Sequence, residues 1–149
     1  MSKYLLDTDI LTYLEQHDSP LHARVVKRLS QLDDDDEALV SILSFYEMYY
    51  GISWASRHEQ VALQSAMGSI ASKFPVVGLS LQGARIFGAL KAAYRRIVGI
   101  TPNALKRNDV DLLIASTAIE TGAILVSNDH LFESIRHLQS DFELENWAI

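Results

Sequence analysis

Short apolar runs alternate with longer stretches of helical periodicity along this chain, and the alternation restricts its possible folds more than any other feature. The strand-like runs are Tyr4–Leu6, Ala38–Leu43, Val76–Leu79 and Ala123–Val126, with Phe142–Leu144 as a final edge strand. Between them, apolar residues recur at helical spacing: Ile10, Leu11 and Leu14, then Leu21, Val25, Val26, Leu29 and Leu32, and a further stretch from His58 to Lys73. Later come Ala84, Phe87, Leu90, Tyr94 and Ile97, and then Val110, Ile114, Ala118 and Ile119. Parallel strands need crossovers, and helices supply them. The pattern therefore predicts an α/β fold, a three-layer α/β/α sandwich around a central, mostly parallel sheet.

Local punctuation agrees with these elements. Pro20 suits the first turn of a helix, Ser44-Phe45-Tyr46-Glu47 matches a capping box at a helix start, and Ser80 and Asn108 can cap the two helices after it. Gly99–Pro102 ends one helix and Gly122 is a C-terminal cap for another. The run Asp33-Asp34-Asp35-Asp36 lacks the glycine and distal glutamate of a calcium-binding loop and reads as a solvated turn.

With 149 residues, 48% of them apolar, and a mean hydropathy of +0.06, the chain suits one compact domain spanning residues 1–149. Its apolar runs are broken well short of the roughly 18 to 20 residues a membrane span needs, and Asp7 interrupts any leader pattern, so a cytoplasmic protein is expected. With no cysteine, disulfides, thiolate metal sites and cysteine nucleophiles are excluded together. A net charge of −6 argues against broad adhesion to nucleic acid and leaves room for a local basic patch.

Four acids, Asp7, Glu47, Asp111 and Asp129, sit where a strand-like run hands over to a helix-like one. If the strands are parallel, these handovers share the carboxyl edge of one sheet, where open α/β folds bind ligands. Carboxylates gathered there repel one another until protons or a divalent cation relieve them, and a hard cation such as Mg²⁺ suits an all-oxygen set. Each acid alone has a plainer explanation: Asp7 or Asp9 as a helix cap, Glu47 as part of a capping box, Asp109 or Asp111 as first-turn acids favoured by the helix dipole. Convergence of several at one edge is what caps do not require.

These residues also carry a resemblance. Tyr4-Leu5-Leu6-Asp7-Thr8-Asp9-Ile10-Leu11, Ser44-Phe45-Tyr46-Glu47 with Tyr50-Gly51-Ile52, Asp111-Leu112-Leu113-Ile114-Ala115-Ser116-Thr117-Ala118, and Ile124-Leu125-Val126-Ser127-Asn128-Asp129 with Phe132 resemble, in order, the motifs of the PIN-domain nucleases. Within that group the chain is similar to the VapC-type ribonuclease toxins of toxin–antitoxin pairs, also in its ending Leu144-Glu145-Asn146-Trp147. It departs from the family at Asp9, where Asn or Ser is usual, and in the longer stretch Thr101–Asn108.

The resemblance implies a metal-dependent endoribonuclease, with structured RNAs such as transfer RNA among its substrates. Asp7, Asp111, Glu47 and Asp129 would hold one or two Mg²⁺ or Mn²⁺ ions, with Thr8, Ser127 and Asn128 orienting them; Asn128 shares or replaces the role of Asp129. It further implies a homodimer and a small VapB-like antitoxin, for which Tyr49, Tyr50 and Trp54 are candidate contacts if they are not core. Arg85, Lys91, Arg95, Arg96, Lys106 and Arg107 are the candidate phosphate contacts, with a solvated helix face as the plain alternative. Two other readings stand beside this one. Asp7-Thr8-Asp9 also resembles the start of haloacid dehalogenase-type phosphatases, and a non-catalytic PIN-like module would bind RNA or protein without turnover.

Overall fold

The computed structural model describes residues 1–99 and 101–149; Ile100, inside the predicted Gly99–Pro102 terminator, lies outside the described residues. The elements run β1 (Lys3–Leu6), α1 (Thr8–Glu15), α2 (Pro20–Ser30), β2 (Glu37–Ser41), α3 (Ile42–Trp54), α4 (Arg57–Lys73) and β3 (Val76–Val77). They continue with α5 (Leu81–Val98), α6 (Pro102–Arg107), α7 (Asp109–Thr121), β4 (Ile124–Val126), α8 (Leu131–Leu138) and β5 (Leu144–Glu145). The sheet order is β3-β2-β1-β4-β5, and every neighbouring pair is parallel, so the expected mostly parallel sheet is wholly parallel.

Strand register sorts the core into two layers. Leu5 lies opposite Leu39 and Leu125, and Leu6 opposite Val40 and Val126. Because successive side chains point to opposite faces, the first trio packs with Leu90, Tyr94, Leu112, Ile114, Phe132 and Ile135 of α5, α7 and α8. The second trio packs with Ile10, Leu11, Val25, Phe45, Ile52, Met67 and Ile70 of α1 to α4. Both sheet faces are thus covered, which explains why the strands read as continuous apolar runs instead of alternating ones.

The connections from β1 through β2 to β3 cross the second face, and those from β3 through β4 to β5 cross the first. The winding therefore reverses between β1 and β4. That gap, at the carboxyl ends of the two central strands, is the topological switch point of the sheet.

Several boundaries differ from the sequence reading. β2 stops at Ser41, whose hydroxyl accepts the Leu43 N–H at 3.1 Å and caps α3, so Ile42 and Leu43 open a helix and Ser44–Glu47 is not a capping box. A buried helix start is as apolar as a strand, which is why the run looked continuous. The capping box is at Ser56 and Glu59 of α4. Asn108 stands at the N-cap of α7 without a capping bond, its amide turned toward the Tyr94 hydroxyl at 3.4 Å. β3 is confined to Val76–Val77, and the last strand is Leu144–Glu145, with Phe142 instead buried against Phe132. The Thr101–Asn108 stretch contains the short helix α6. Gly99 and Gly122 end α5 and α7 at φ of 62° and 67°, a left-handed conformation that favours glycine.

Candidate active site

Asp7 follows the last residue of β1 and caps α1 with an extended backbone, and its N–H donates to the Val126 carbonyl at 2.9 Å, fastening the ends of the two central strands. Its carboxylate is enclosed, being only 5% exposed. Oδ1 accepts the Thr8 N–H and Oδ2 the Ser127 hydroxyl, each at 2.8 Å. Burial, then the negative charge of Asp9, pushes the carboxyl up to about 7; Asp111 adds to the rise, while the bonds from Ser127 and Thr8 oppose it.

Asp9, a first-turn acid of α1, stands beside Asp7. Its Oδ1 accepts the Ile10 N–H at 2.7 Å and its Oδ2 the Asn128 N–H at 2.8 Å, with the Ser127 hydroxyl at 3.5 Å. Burial raises its pKa, with a lesser contribution from Asp129. Sequence reading treated Asp9 as a cap or a family departure and left it out of the acidic set. Its carboxylate belongs to the same electrostatic cluster, and the signal that pointed to it was its spacing from Asp7.

Glu47 lies on the exposed side of α3, where its Oε1 accepts the Thr8 hydroxyl at 2.6 Å, and Ser44 Oγ lies 2.9 Å from the same hydroxyl oxygen. One residue of α1 thus ties Glu47 to the Asp7 turn. Asp111 lies in the first turn of α7, a helix whose Ile114, Ala115 and Ala118 are buried against the sheet. Burial first, then the charges of Asp129, Glu47 and Asp9, lifts its carboxyl to about 6. Asp129 is exposed after β4; its N–H donates to Ser127 Oγ and its Oδ1 accepts the Leu131 N–H, both at 3.0 Å.

Asn128 takes a different part from Asp129. Its amide nitrogen donates to the Tyr13 hydroxyl at 3.2 Å and its amide oxygen accepts from Asn146 at 2.7 Å, so the side chain is occupied by protein partners. Tyr13, Ser44 and Asn146 were not foreseen. These contacts join distant parts of the chain and leave no local pattern.

None of the ion pairs among the described residues, Arg28–Glu145, Lys91–Asp109 and Arg136–Glu133, reaches the five acids of this cluster. With no described cation neutralising the cluster, burial and then its mutual repulsion raise the Asp7 and Asp111 carboxyls. Among the described residues no three His, Asp or Glu side chains form a ready-made metal cage. The donor set nevertheless fits Mg²⁺, which is commonly bound through one or two carboxylates and keeps several waters, with neighbouring acids accepting from those waters.

The predicted basic residues lie on α5 and α6. Arg85, Arg95, Arg96, Lys106 and Arg107 are exposed. Lys91 is committed elsewhere: its ammonium pairs with Asp109 at 2.7 Å and lies 5.6 Å from the Phe87 ring centroid. This pair also gives Asp109 its role, which is to tie α7 to α5 and not to cap α7.

Comparison with known proteins identifies the family and the fold. The PIN domain family matches residues 4–138. Ribonuclease VapC2 of Rickettsia felis (strain ATCC VR-1525 / URRWXCal2) is 29% identical over 146 residues, covering 97% of each chain. The crystal structure of VapBC2 from Rickettsia felis, bound to a DNA fragment from their promoter, superposes with a TM-score of 0.78 at 26% identity, over 97% of this chain and 98% of that one. VapBC-1 from nontypeable Haemophilus influenzae shares the fold, with a TM-score of 0.76 at 23% identity and 99% of each chain covered. By motif, topology and sequence alike, the chain belongs to the PIN-domain family and sides within it with the VapC ribonucleases.

Proposed function

We propose that the protein is an endoribonuclease toxin whose acidic centre, Asp7, Glu47, Asp111 and Asp129 with Asp9 beside them, uses Mg²⁺ or Mn²⁺ to hydrolyse RNA phosphodiester bonds. The observation that carries this reading is the Asp7 carboxyl enclosed at the switch point with Asp9 and Asp111 close enough to add their charge, where burial pushes its pKa up. Such a group destabilises the fold when ionised, and a function that needs a divalent cation explains its presence. When bound, the cation supplies Lewis-acid stabilisation of charge on the phosphoryl oxygens and a lowered pKa for the attacking water.

The chain's own part is to hold the donors. Ser127 and the Thr8 N–H fix both oxygens of Asp7, the Thr8 hydroxyl fixes Glu47, and α7 carries Asp111 across the sheet end. Asp7 and Asp111 are the direct ligands, with Glu47 and Asp129 acting directly or through water. Exposed Arg85, Arg95, Arg96, Lys106 and Arg107 supply the attraction for phosphate that the net charge of −6 lacks.

A VapB-like antitoxin is the partner in this reading, and the groove between α1, α3 and α4 suits it. That groove has a volume of about 340 Å³ and is lined by Leu11, Met48, Ile52, Leu63, Ala66 and Met67. Beyond it α3 exposes Tyr46, Tyr49, Tyr50 and Trp54, the last 78% exposed, so these four are surface, while Phe45 of the same helix is core. An amphipathic helix seats in such a groove by its apolar face.

Both oxygens of Asp9 are engaged by main-chain N–H groups, and the family match sets aside the haloacid dehalogenase-type reading. Purified wild-type protein should cleave RNA with Mg²⁺ and stop when the metal is chelated, and Asp7→Asn should be inert while folded. Cleavage retained by Asp7→Asn would overturn the site assignment, and no cleavage of any RNA by the wild type would return the protein to a non-catalytic binding module.

A further inference from the structure

We infer that the C-terminal segment 144–149 is a positioning module for the acidic centre, acting through Asn146 on Asn128. The inference rests on the acidic centre proposed above and adds a residue that its chemistry does not touch.

Asn146 is held in one orientation. Its Oδ1 accepts the Ala148 N–H at 2.9 Å and its Nδ2 donates to Asn128 Oδ1 at 2.7 Å, so an amide flip would lose both bonds. Tyr13 receives the other end of Asn128 at 3.2 Å. With its carboxamide gripped at both ends, Asn128 has a fixed peptide plane, and its N–H reaches Asp9 Oδ2 at 2.8 Å. The residues flanking it in the same loop are Ser127, which donates to Asp7, and Asp129 itself. One carboxamide thereby sets the loop that serves three of the five acids.

The segment is anchored well enough to act as a reference point. Trp147 is 1% exposed, its indole N–H donates to Glu145 Oε2 at 2.7 Å, and Arg28 of α2 reaches the same oxygen at 2.9 Å. Arg24 donates to the Ala148 carbonyl at 2.9 Å, and Tyr4 of β1 lies against the Trp147 ring with centroids 5.3 Å apart. A segment needed only to plug the core would require the indole alone. Here the adjacent residue turns its donor toward the acid-bearing loop, beside a cleft of about 210 Å³ lined by Ser127, Asn128, Asp129 and Asn146.

Two variants release Asn128 from opposite ends. Asn146→Asp keeps the oxygen that accepts from Ala148 and removes the hydrogen given to Asn128, and Tyr13→Phe removes the hydroxyl acceptor. Mn²⁺ affinity measured calorimetrically without RNA should fall about 10-fold in each, as for other residues that orient metal ligands. In Asn146→Asp this would happen against the added negative charge, which by itself would tighten binding. The double variant should be little worse than either single one, because both act on one side chain. Amide exchange at Asn128 should accelerate by a similar factor, with Leu5 and Leu39 unchanged. Unaltered Mn²⁺ affinity and Asn128 exchange, with only a lower melting temperature, would overturn the inference and make the segment a structural plug. If the wild type binds no Mn²⁺, the proposed function fails instead, and Asn128 exchange alone decides whether the segment positions the loop.

Discussion

On the proposed function, Asp7 concentrates the conflict between stability and function in one side chain. A carboxyl that binds its proton more tightly in the folded protein than its ordinary value of 3.8 contributes stability that is complete at acid pH and lost as pH rises through about 7. Asp9 and Asp111 shift in the same direction. Asp36, whose carboxylate accepts N–H bonds from Ser2 and Asp33, shifts oppositely, so its contribution is present above its ordinary value and lost only as pH falls below it. The cation-free protein should therefore melt at a higher temperature near pH 5 than near pH 8, and Mg²⁺ should recover much of the loss at the higher pH. Differential scanning calorimetry at the two pH values, with and without Mg²⁺, measures both effects. Asp7→Asn removes the ionisation and should stabilise the cation-free protein near pH 8 by up to about 4 kcal/mol while abolishing cleavage. The same variant losing stability near pH 8 would show that Asp7 is not held under strain.

Helix α3 shows what an element adds to the site and how far sequence anticipates it. The cap at Ser41 fixes where the helix begins and so where Glu47 emerges relative to Thr8. Ser41→Ala should cost about 1 kcal/mol in urea unfolding, typical for a lost N-cap. Gly122→Ala should cost about 1 to 2 kcal/mol, because a side chain at φ 67° is strained. The order of strands and helices, and Asp7 and Asp129 just past strand ends, were legible because each depends on local spacing. Glu47 instead lies in the second turn of α3 and Asp111 follows helix α6, so neither sits at a strand-to-helix handover. The start of α3 was not legible, since Ser44 and Glu47 imitate a cap pattern and buried Leu43 imitates a strand. The bond between Asn128 and Tyr13 joins residues 115 positions apart, and nothing in either neighbourhood announces it. Asp9 fell between these cases: its position was noticed, but only the fold brings Asn128 onto it.

At the scale of the whole molecule, the proposed function divides recognition between surfaces of different chemistry. Replacing Arg95, Arg96, Lys106 and Arg107 with Glu should weaken RNA binding and flatten its dependence on salt, as read from binding isotherms at several ionic strengths. A slope equal to the wild type's would make those residues an ordinary solvated face. Leu63→Glu, at the partly exposed rim of the groove between α1, α3 and α4, should impair antitoxin binding in a pull-down and leave RNA cleavage intact. Finally, the first strand meets its partner β4 only across more than a hundred intervening residues, since Asp7 is fastened to Val126. A nascent polypeptide thus carries its first acid long before the strand that completes the pocket leaves the ribosome, so the acidic cluster cannot assemble on a half-made copy.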